Sequence, residues 1–314
     1  MTKQNVKRTI LLAIIVLHLG VFSFVYTLGY PTIYVLFVIL STTFGIALLE
    51  QSVFETIIAF LASILFIILT VPLLILVARQ NLQVFVSQLQ TPEVHQSIYL
   101  TLYGPTLAAT LSLIGGVPIA FLLQRGIPGQ SIIESIIDLP LVVPHSVAGL
   151  AVLFAFGEGG ALPWLSVLRS VPGMILALTF VSAPYAVNSA REALESINTR
   201  IEYAARTLGA SRYQTFRKIT LPLAARGIFT GGILAWARAI SEFGAVAIVA
   251  YNIQFFYPPA GETVISQHAP VYIYTLYTRG GLQAASSVAI LILGITGTLF
   301  VILRYGMATE GTWP

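Results

Sequence analysis

The segment EYAARTLGASRYQTFRKITLPLA, residues 202–224, concentrates charge in a chain that otherwise carries little of it. Charged residues make up 9% of the 314 positions and hydrophobic residues 57%, whereas soluble domains are about 25% charged. Several stretches run for roughly 20 residues with little or no charge, which is the length that crosses a ~30 Å hydrocarbon core. The composition therefore predicts an all-α, polytopic helical membrane protein, because a β-barrel would show short alternating segments instead.

Hydropathy predicts eight transmembrane spans, at residues 9–28, 32–49, 55–78, 99–124, 138–156, 172–190, 227–250 and 283–303. Only Gly29–Tyr30–Pro31 separates the first two spans. We therefore expect residues 1–52 to form an N-terminal transmembrane helical hairpin and residues 53–314 to form the core. The first apolar run reaches Leu28 without a small-residue cleavage site, which favours a retained helix over a signal peptide.

Basic residues predict the orientation of the chain in the membrane. With the amino terminus in the cytoplasm, 12 of the 16 Lys and Arg residues lie on the cytoplasmic side. Arg79, Arg169 and Arg279 then lie outside, and Arg238 lies within a span. Cytoplasmic loops carry the excess of Lys and Arg, so we expect a multi-pass protein of the cell membrane with both termini cytoplasmic. This distribution also explains the net charge of +4 without a nucleic-acid partner.

The largest inner loop, residues 191–226, carries the signals of two short helices. Thr199 and Glu202 have the spacing of a capping box, so a first helix should begin near Arg200. Gly209 stands where a helix commonly ends in the left-handed conformation. Apolar residues recur along this helix at the spacing of one helical face, at Ile201, Ala204, Ala205 and Leu208.

A second short helix follows in the same loop. Ser211 and Gln214 repeat the capping-box spacing, and this helix should end before Pro222. Its basic residues, Arg217 and Lys218 among them, suit either an acidic protein surface or anionic lipid at the membrane face. The spacing of the residues alone leaves both alternatives open.

The same loop resembles the EAA loop of ABC-transporter importer permeases, in which E-A-A is followed by three residues, Gly, nine residues and I-x-L-P. Tyr203 stands at the Glu position of that pattern, with Glu202 beside it. The resemblance implies that the loop docks into a groove on an ATPase subunit. The residues expected to form this coupling surface are Glu202, Tyr203, Ala204, Ala205, Gly209, Ala210, Ser211, Arg217, Ile219, Leu221 and Pro222.

The resemblance extends over residues 55–305. The stretches DLPLVVPHSVAGLAVLFAFG (138–157) and WARAISEFGAVAIVAYN (236–252) are similar to those of molybdate, tungstate and sulfate permeases. This implies a type I importer permease core of six helices, here preceded by two further helices. It also implies a homodimer, two ATPase subunits and an extracytoplasmic binding protein that delivers a tetrahedral oxyanion. Tungstate or molybdate is the leading substrate, and sulfate is the alternative.

The chain itself shows no sign of catalysis. It has no G-x-x-x-x-G-K-[ST] phosphate loop, so ATP hydrolysis is expected on a partner chain. No cysteine is present and the histidines lack ligand spacing, so we expect neither a metal nor another cofactor. A secondary transporter would carry ion-coupling carboxylates in its spans, and only Glu242 qualifies.

Two charged residues nevertheless lie inside a predicted span. Arg238 and Glu242 are four residues apart, which places them on one helical face, and Phe243–Gly244 follows them. Charges within the bilayer usually face a cavity or a partner. The pair therefore lies on the anion pathway or forms an internal salt bridge that fixes helix packing. The outer loop 251–282 contains YPPAGE, a break where we expect a short lateral helix.

Overall fold

A computed structural model of the chain describes residues 16–47, 53–161, 164, 167–279 and 281–309. The described residues are mostly helical. Packing divides the chain into two compact units, Met1–Asn81 and Leu82–Pro314. This division falls later than the sequence-based boundary after residue 52, because the third apolar helix groups with the first two. The start of the first predicted span and residues 48–52 lie outside the described residues.

The N-terminal unit contains three apolar helices, which are α1 (Val16–Thr27), α2 (Pro31–Ala47) and α3 (Val53–Ala78). A turn at Gly29, with φ of 80°, joins α1 to α2. The ring of Phe22 meets the ring of Tyr34 edge-on, with 5.0 Å between centroids. Val71 of α3 packs against the same aromatic cluster. Aromatic side chains thus hold these three helices together.

The second unit contains the remaining helices and one β-hairpin. In chain order its elements are α4 (Leu82–Leu89), α5 (Pro92–Gln124), α6 (Gln130–Val142), α7 (His145–Phe156), α8 (Val171–Glu195), α9 (Thr199–Thr207), α10 (Arg212–Thr215), a π-helix (Phe216–Thr220), α11 (Leu221–Ile240), α12 (Gly244–Val249), β1 (Ile253–Tyr257), β2 (Glu262–Ser266), α13 (Ala269–Thr278) and α14 (Leu282–Thr309). Its centre is the packing of α5, α8 and α11. Small residues allow this close approach: a Cβ on Gly231 of α11 would lie 2.8 Å from the Cβ of Ser189 on α8.

The predicted count of eight spans is confirmed only in part. Among the described residues, four helices are long and apolar enough to cross a membrane, or up to six if each of two bent helix pairs counts as one span. One bent pair is α6 and α7, which meet at 119° where a single span over 138–156 was predicted. Pro144 explains the break, because proline removes a backbone donor and pushes the preceding Val143 into an extended conformation, with ψ of 132°.

The segment 251–282 contains strands as well as a helix. YPPAGE forms the turn between β1 and β2, which pair in antiparallel register from Ile253 opposite Ser266 to Tyr257 opposite Glu262. The expectation of a helix at YPPAGE is wrong, because alternating aromatic and β-branched residues flank a Pro-Gly turn. The short helix of this segment is α13, which follows the hairpin. The fold is therefore helical with one small hairpin.

Candidate functional site

Glu202 of the 191–226 loop points away from the start of its own helix. Helix α9 begins at Thr199, and Asn198 caps it by accepting a hydrogen bond from the backbone N–H of Arg200 at 3.0 Å. The predicted capping box of Thr199 and Glu202 is therefore wrong. Glu202 is only 6% exposed, and its carboxylate is bound by residues of two other elements.

The Glu202 carboxylate joins three segments of the chain. Its Oε2 accepts a hydrogen bond from Nη2 of Arg125, which follows α5, at 2.8 Å. Its Oε1 accepts a hydrogen bond from Oγ1 of Thr220, the buried last residue of the π-helix, at 2.7 Å. The Arg125 guanidinium also lies over the ring of Phe121, 4.7 Å from its centroid. Hydrogen bonds to a charged group are about twice as strong as neutral ones, so α9 is tied to the ends of α5 and α11.

Gly209 ends α9 in the left-handed conformation, with φ of 90°, in agreement with the sequence. The N–H of Gly209 donates to the carbonyl of Arg206, and the N–H of Ala210 donates to the carbonyl of Ala205, both at 3.1 Å. A Cβ on Gly209 would meet no atom within 4 Å. Glycine is therefore favoured here by the left-handed backbone conformation alone, because the open space around residue 209 would admit a side chain.

The second half of the loop continues without interruption into a long helix. Ser211 and Gln214 form the predicted capping box, with side-chain to backbone hydrogen bonds of 2.8 and 3.2 Å. The chain then passes from α10 through the π-helix into α11, whose first turn contains Pro222. The prediction that this helix ends before Pro222 is wrong. Proline is tolerated in a first helical turn, where the backbone N–H would be unpaired.

Within residues 196–226, all of which the structure describes, every exposed charge is basic. The exposed cations are Arg200, Arg206, Arg212, Arg217, Lys218 and Arg226. Apolar side chains accompany them: Leu208 is 89% exposed, and Tyr203 and Tyr213 are exposed as well. The apolar face predicted for α9 thus faces outward. We call this exposed basic and apolar surface of residues 196–226 the loop surface.

The predicted coupling residues divide between the loop surface and its support. A groove of about 500 Å³ beside Tyr203 is lined further by Arg206, Thr207, Ala210, Ser211 and Arg212. Ala204, Gly209, Arg217 and Pro222 are exposed, and Ala205, Ile219 and Leu221 are half-buried. Glu202 alone among the predicted residues is buried. Its hydrogen bonds to Arg125 and Thr220 connect the loop surface to the helices beneath it.

Arg238 and Glu242 form an ion pair, although not on one continuous helix. Helix α11 ends at Ile240, so the predicted span over 227–250 is interrupted and Glu242 lies in the break before α12. Nη2 of Arg238 donates to Oε2 of Glu242 at 2.7 Å, and the Glu242 side chain is fully buried. Oε1 of Glu242 accepts a hydrogen bond from the N–H of Ala245 at 2.8 Å.

His145, the first residue of α7, completes this charge cluster. Its Nε2 lies 2.8 Å from Nη2 of Arg238, and its Nδ1 lies 3.3 Å from Oε2 of Glu242. Arginine carries only donors, so the contact with Arg238 is a hydrogen bond from Nη2 to the imidazole. Gly244 permits this approach, since a Cβ there would lie 2.8 Å from the Cβ of His145. The next ring along the chain, Phe243, packs against Tyr274 with 5.1 Å between centroids.

The sequence did not predict three residues of these two sites, namely Arg125, Thr220 and His145. They lie 77, 18 and 93 positions from their hydrogen-bonding partners. Pro144 was the available signal for His145, because a proline inside an apolar run marks a helix break. The sequence predicts no role for His145.

Residues 112–309 match the family described as the binding-protein-dependent transport system inner membrane component. The matched range includes the 191–226 loop and the His145–Arg238–Glu242 cluster. The chain belongs to this family. The resemblance to ABC importer permeases is thereby confirmed, and the chain is a multi-pass membrane protein. The helices before residue 112 lie outside the match.

Three relatives are permease proteins of oxyanion transport systems. The molybdate/tungstate transport system permease protein of Pyrococcus abyssi is 36% identical over 250 residues, which are 79% of this chain and 93% of that protein. The molybdenum transport system permease protein of Escherichia coli is 37% identical over 205 residues, 62% of this chain and 86% of that one. The sulfate transport system permease protein of Synechococcus elongatus is 34% identical over 224 residues, 69% and 75% of the two chains.

Solved structures agree on the fold. A bacterial ABC transporter that imports alginate superposes with a TM-score of 0.59 at 20% identity, over 85% of this chain and 97% of that one. An inward-facing methionine ABC transporter superposes with a TM-score of 0.52 at 17% identity, over 69% and 94% of the two chains. The fold is therefore that of a type I ABC importer permease.

Proposed function

We propose that this chain is the membrane-spanning permease subunit of an ABC importer that carries tungstate or molybdate into the cytoplasm. ATP hydrolysis takes place on a separate ATPase subunit, since this chain lacks a phosphate loop. The observation that carries the proposal is the loop surface, which is exposed, basic and apolar, and which the buried Glu202 ties to two long helices.

The loop surface is the docking site of the ATPase. Leu208 and Tyr203 supply apolar contacts that would otherwise remain in water, and the surrounding Arg and Lys side chains meet an acidic rim on the partner. ATP binding draws two ATPase subunits together and displaces α9. Glu202 then passes this displacement to Arg125 and Thr220, at the ends of α5 and α11.

Two copies of the chain form the pathway, because one core of six helices is too small to enclose an alternating-access cavity. Each copy receives one ATPase subunit. An extracytoplasmic binding protein delivers the oxyanion to the outer loops. ATP binding opens the pathway outward, and hydrolysis resets it.

The chain lies in the plasma membrane with both termini in the cytoplasm, as the 12 basic residues on that side indicate. It has eight spans. Residues 1–52 form a transmembrane hairpin, and residues 53–314 form the permease core with its cytoplasmic loop 191–226. The hairpin falls outside the family match, which begins at residue 112.

The names of the relatives support tungstate or molybdate as the substrate. Sulfate is the alternative, and a sulfate permease at 34% identity favours it less. A secondary transporter would need an ion-coupling carboxylate. Glu242 is the candidate, but Arg238 already neutralises it.

Uptake into vesicles tests the proposal. The vesicles hold this chain, its ATPase and its binding protein, and they receive labelled tungstate with sulfate as competitor. Uptake that requires ATP and resists excess sulfate is the expected result. Uptake abolished by sulfate would assign the chain to sulfate, and uptake without ATP would favour a secondary transporter.

A further inference from the structure

The charge cluster lies where two broken helices meet. One break, between α6 and α7, ends at His145, and the other, between α11 and α12, contains Glu242. Helix breaks at membrane depth leave backbone groups unpaired, so they are tolerated where they are buried in protein or line a cavity. Broken helices of this kind form the substrate sites of many transporters.

Glu242 is fully buried, so an incoming ligand does not reach it. Its Oε1 is taken by the N–H of Ala245 at 2.8 Å, and its Oε2 is taken by Arg238 at 2.7 Å with His145 at 3.3 Å. Glu242 thus holds the other two residues in place and reduces their net positive charge.

Arg238, in contrast, has donors to spare. All of its contacts use Nη2, which donates to Glu242 and to His145. Within the part of the chain that the structure describes, no acceptor takes its Nη1 or Nε. The Arg238 side chain is 16% exposed, and the ring of His145 beside it is 49% exposed. A partly exposed guanidinium edge next to an imidazole offers hydrogen bonds to two oxygens of one anion.

We propose that Arg238 and His145 form a transient binding site for a tetrahedral oxyanion dianion in the translocation pathway, with Glu242 as the residue that positions them and keeps the site weak. This inference rests on the proposed function. Arg238 stands 17 residues after Leu221, or about 25 Å along α11 at ~1.5 Å per residue, which places the site toward the extracytoplasmic end.

A weak site suits this position, because a transported ion must bind well enough to enter and poorly enough to leave. The opposing interpretation is that Arg238 and Glu242 only hold helices together. The two interpretations differ in what the charge does. A packing role needs the hydrogen bonds, whereas an oxyanion site needs the cation.

Arg238→Gln/Glu242→Gln distinguishes them, because it keeps hydrogen-bonding groups in place and leaves no unpaired buried charge. His145→Gln removes the imidazole from a half-exposed position. Ser146→Ala is the matched control, since Ser146 is the exposed neighbour of His145 and its side chain makes no hydrogen bond to the residues that the structure describes. Each variant is made in the full chain and purified with its ATPase.

Equilibrium dialysis against radiolabelled tungstate, without the binding protein and with the ATPase alone as blank, measures the site directly. We expect the wild type and Ser146→Ala to bind alike, and the double variant and His145→Gln to bind at least tenfold more weakly. Unlabelled molybdate or sulfate should displace the label, and equimolar chloride should not. Unchanged binding in the double variant, or equal displacement by chloride, would overturn the inference.

Uptake separates this inference from the proposed function. ATP-dependent tungstate uptake by the wild type, with at least a tenfold loss in the double variant, supports both. Wild-type uptake that the double variant retains in full would overturn the oxyanion site and leave the importer standing. Absence of ATP-dependent uptake in the wild type would overturn the importer, and dialysis would still decide the site.

Discussion

Glu202 accepts a hydrogen bond of 2.7 Å from Thr220, and both side chains are buried. Eighteen positions separate the two residues, one on α9 and the other at the π-helix that leads into α11. π turns occur frequently at functional sites. This bond and the Arg125 contact connect the loop surface directly to α5 and α11.

Replacing Glu202 by Ala should uncouple ATP hydrolysis from transport. It leaves the buried Thr220 hydroxyl without an acceptor, at a cost of about 1–3 kcal/mol, and releases Arg125. We expect ATP hydrolysis to persist while tungstate uptake falls at least tenfold. Glu192→Gln, at an exposed position of α8, is the control and should transport normally. Full uptake by Glu202→Ala would show that the bond transmits nothing.

Gly209→Val should also uncouple transport, whereas Gly209→Asn should not. The residue has φ of 90° with open space around it. Asn tolerates the left-handed conformation far better than a β-branched residue does. The comparison therefore isolates backbone conformation from side-chain bulk. If both variants couple normally, the bend is not needed for docking.

Charge reversal at Arg217 and Lys218 should weaken association with the ATPase. Both side chains are exposed on the loop surface, and Glu at these positions would repel an acidic partner. Co-purification in low salt should fall several-fold for the double reversal. Arg304→Glu, an exposed cation outside the loop, should leave it unchanged. If the wild type, the double reversal and Arg304→Glu all co-purify equally with the ATPase, Arg217 and Lys218 do not contact the ATPase and instead face the lipid surface.

His268, outside the long apolar helices, should make the protein less stable in acid. Burial lowers the pKa of its ring to about 3 from an ordinary value of 6.5. The folded state thus binds fewer protons than the unfolded state, so stability is complete above pH 6.5 and is lost as the pH falls toward 3. The loss at pH 5 should reach about 2 kcal/mol.

Thermal unfolding in detergent from pH 7 to pH 5 measures this loss. His268→Gln cannot titrate, so its melting temperature should depend less on pH than that of the wild type, whatever its absolute stability. Parallel pH profiles for the two proteins would rule out His268 as the group responsible.

Local chemistry made part of this structure predictable. The bend at Gly209 and the capping box of Ser211 and Gln214 depend on residues a few positions apart, and both were confirmed. The length of the apolar stretches likewise located the long helices. Two errors concern prolines, whose signal is also local. The sequence predicted one span through Pro144, where the helix breaks, and a helix end before Pro222, where the helix continues.

The contacts that build the sites could not be predicted in this way. Glu202 had the spacing of a capping residue, and Arg125, 77 positions away, competes for its carboxylate. His145 reaches Arg238 across 93 positions because two helices break at the same place. Such pairs depend on the packing of whole helices, which no short-range spacing encodes.

Cross-linking from Leu208 tests the docking of the ATPase most directly. The chain has no cysteine, so Leu208→Cys provides a single thiol on the loop surface, and Phe256→Cys provides one on the exposed face of the hairpin. With a thiol-to-amine reagent in vesicles, Leu208→Cys should cross-link to the ATPase and Phe256→Cys should not. Cross-linking from Phe256→Cys alone would contradict both the docking site and the orientation of the chain.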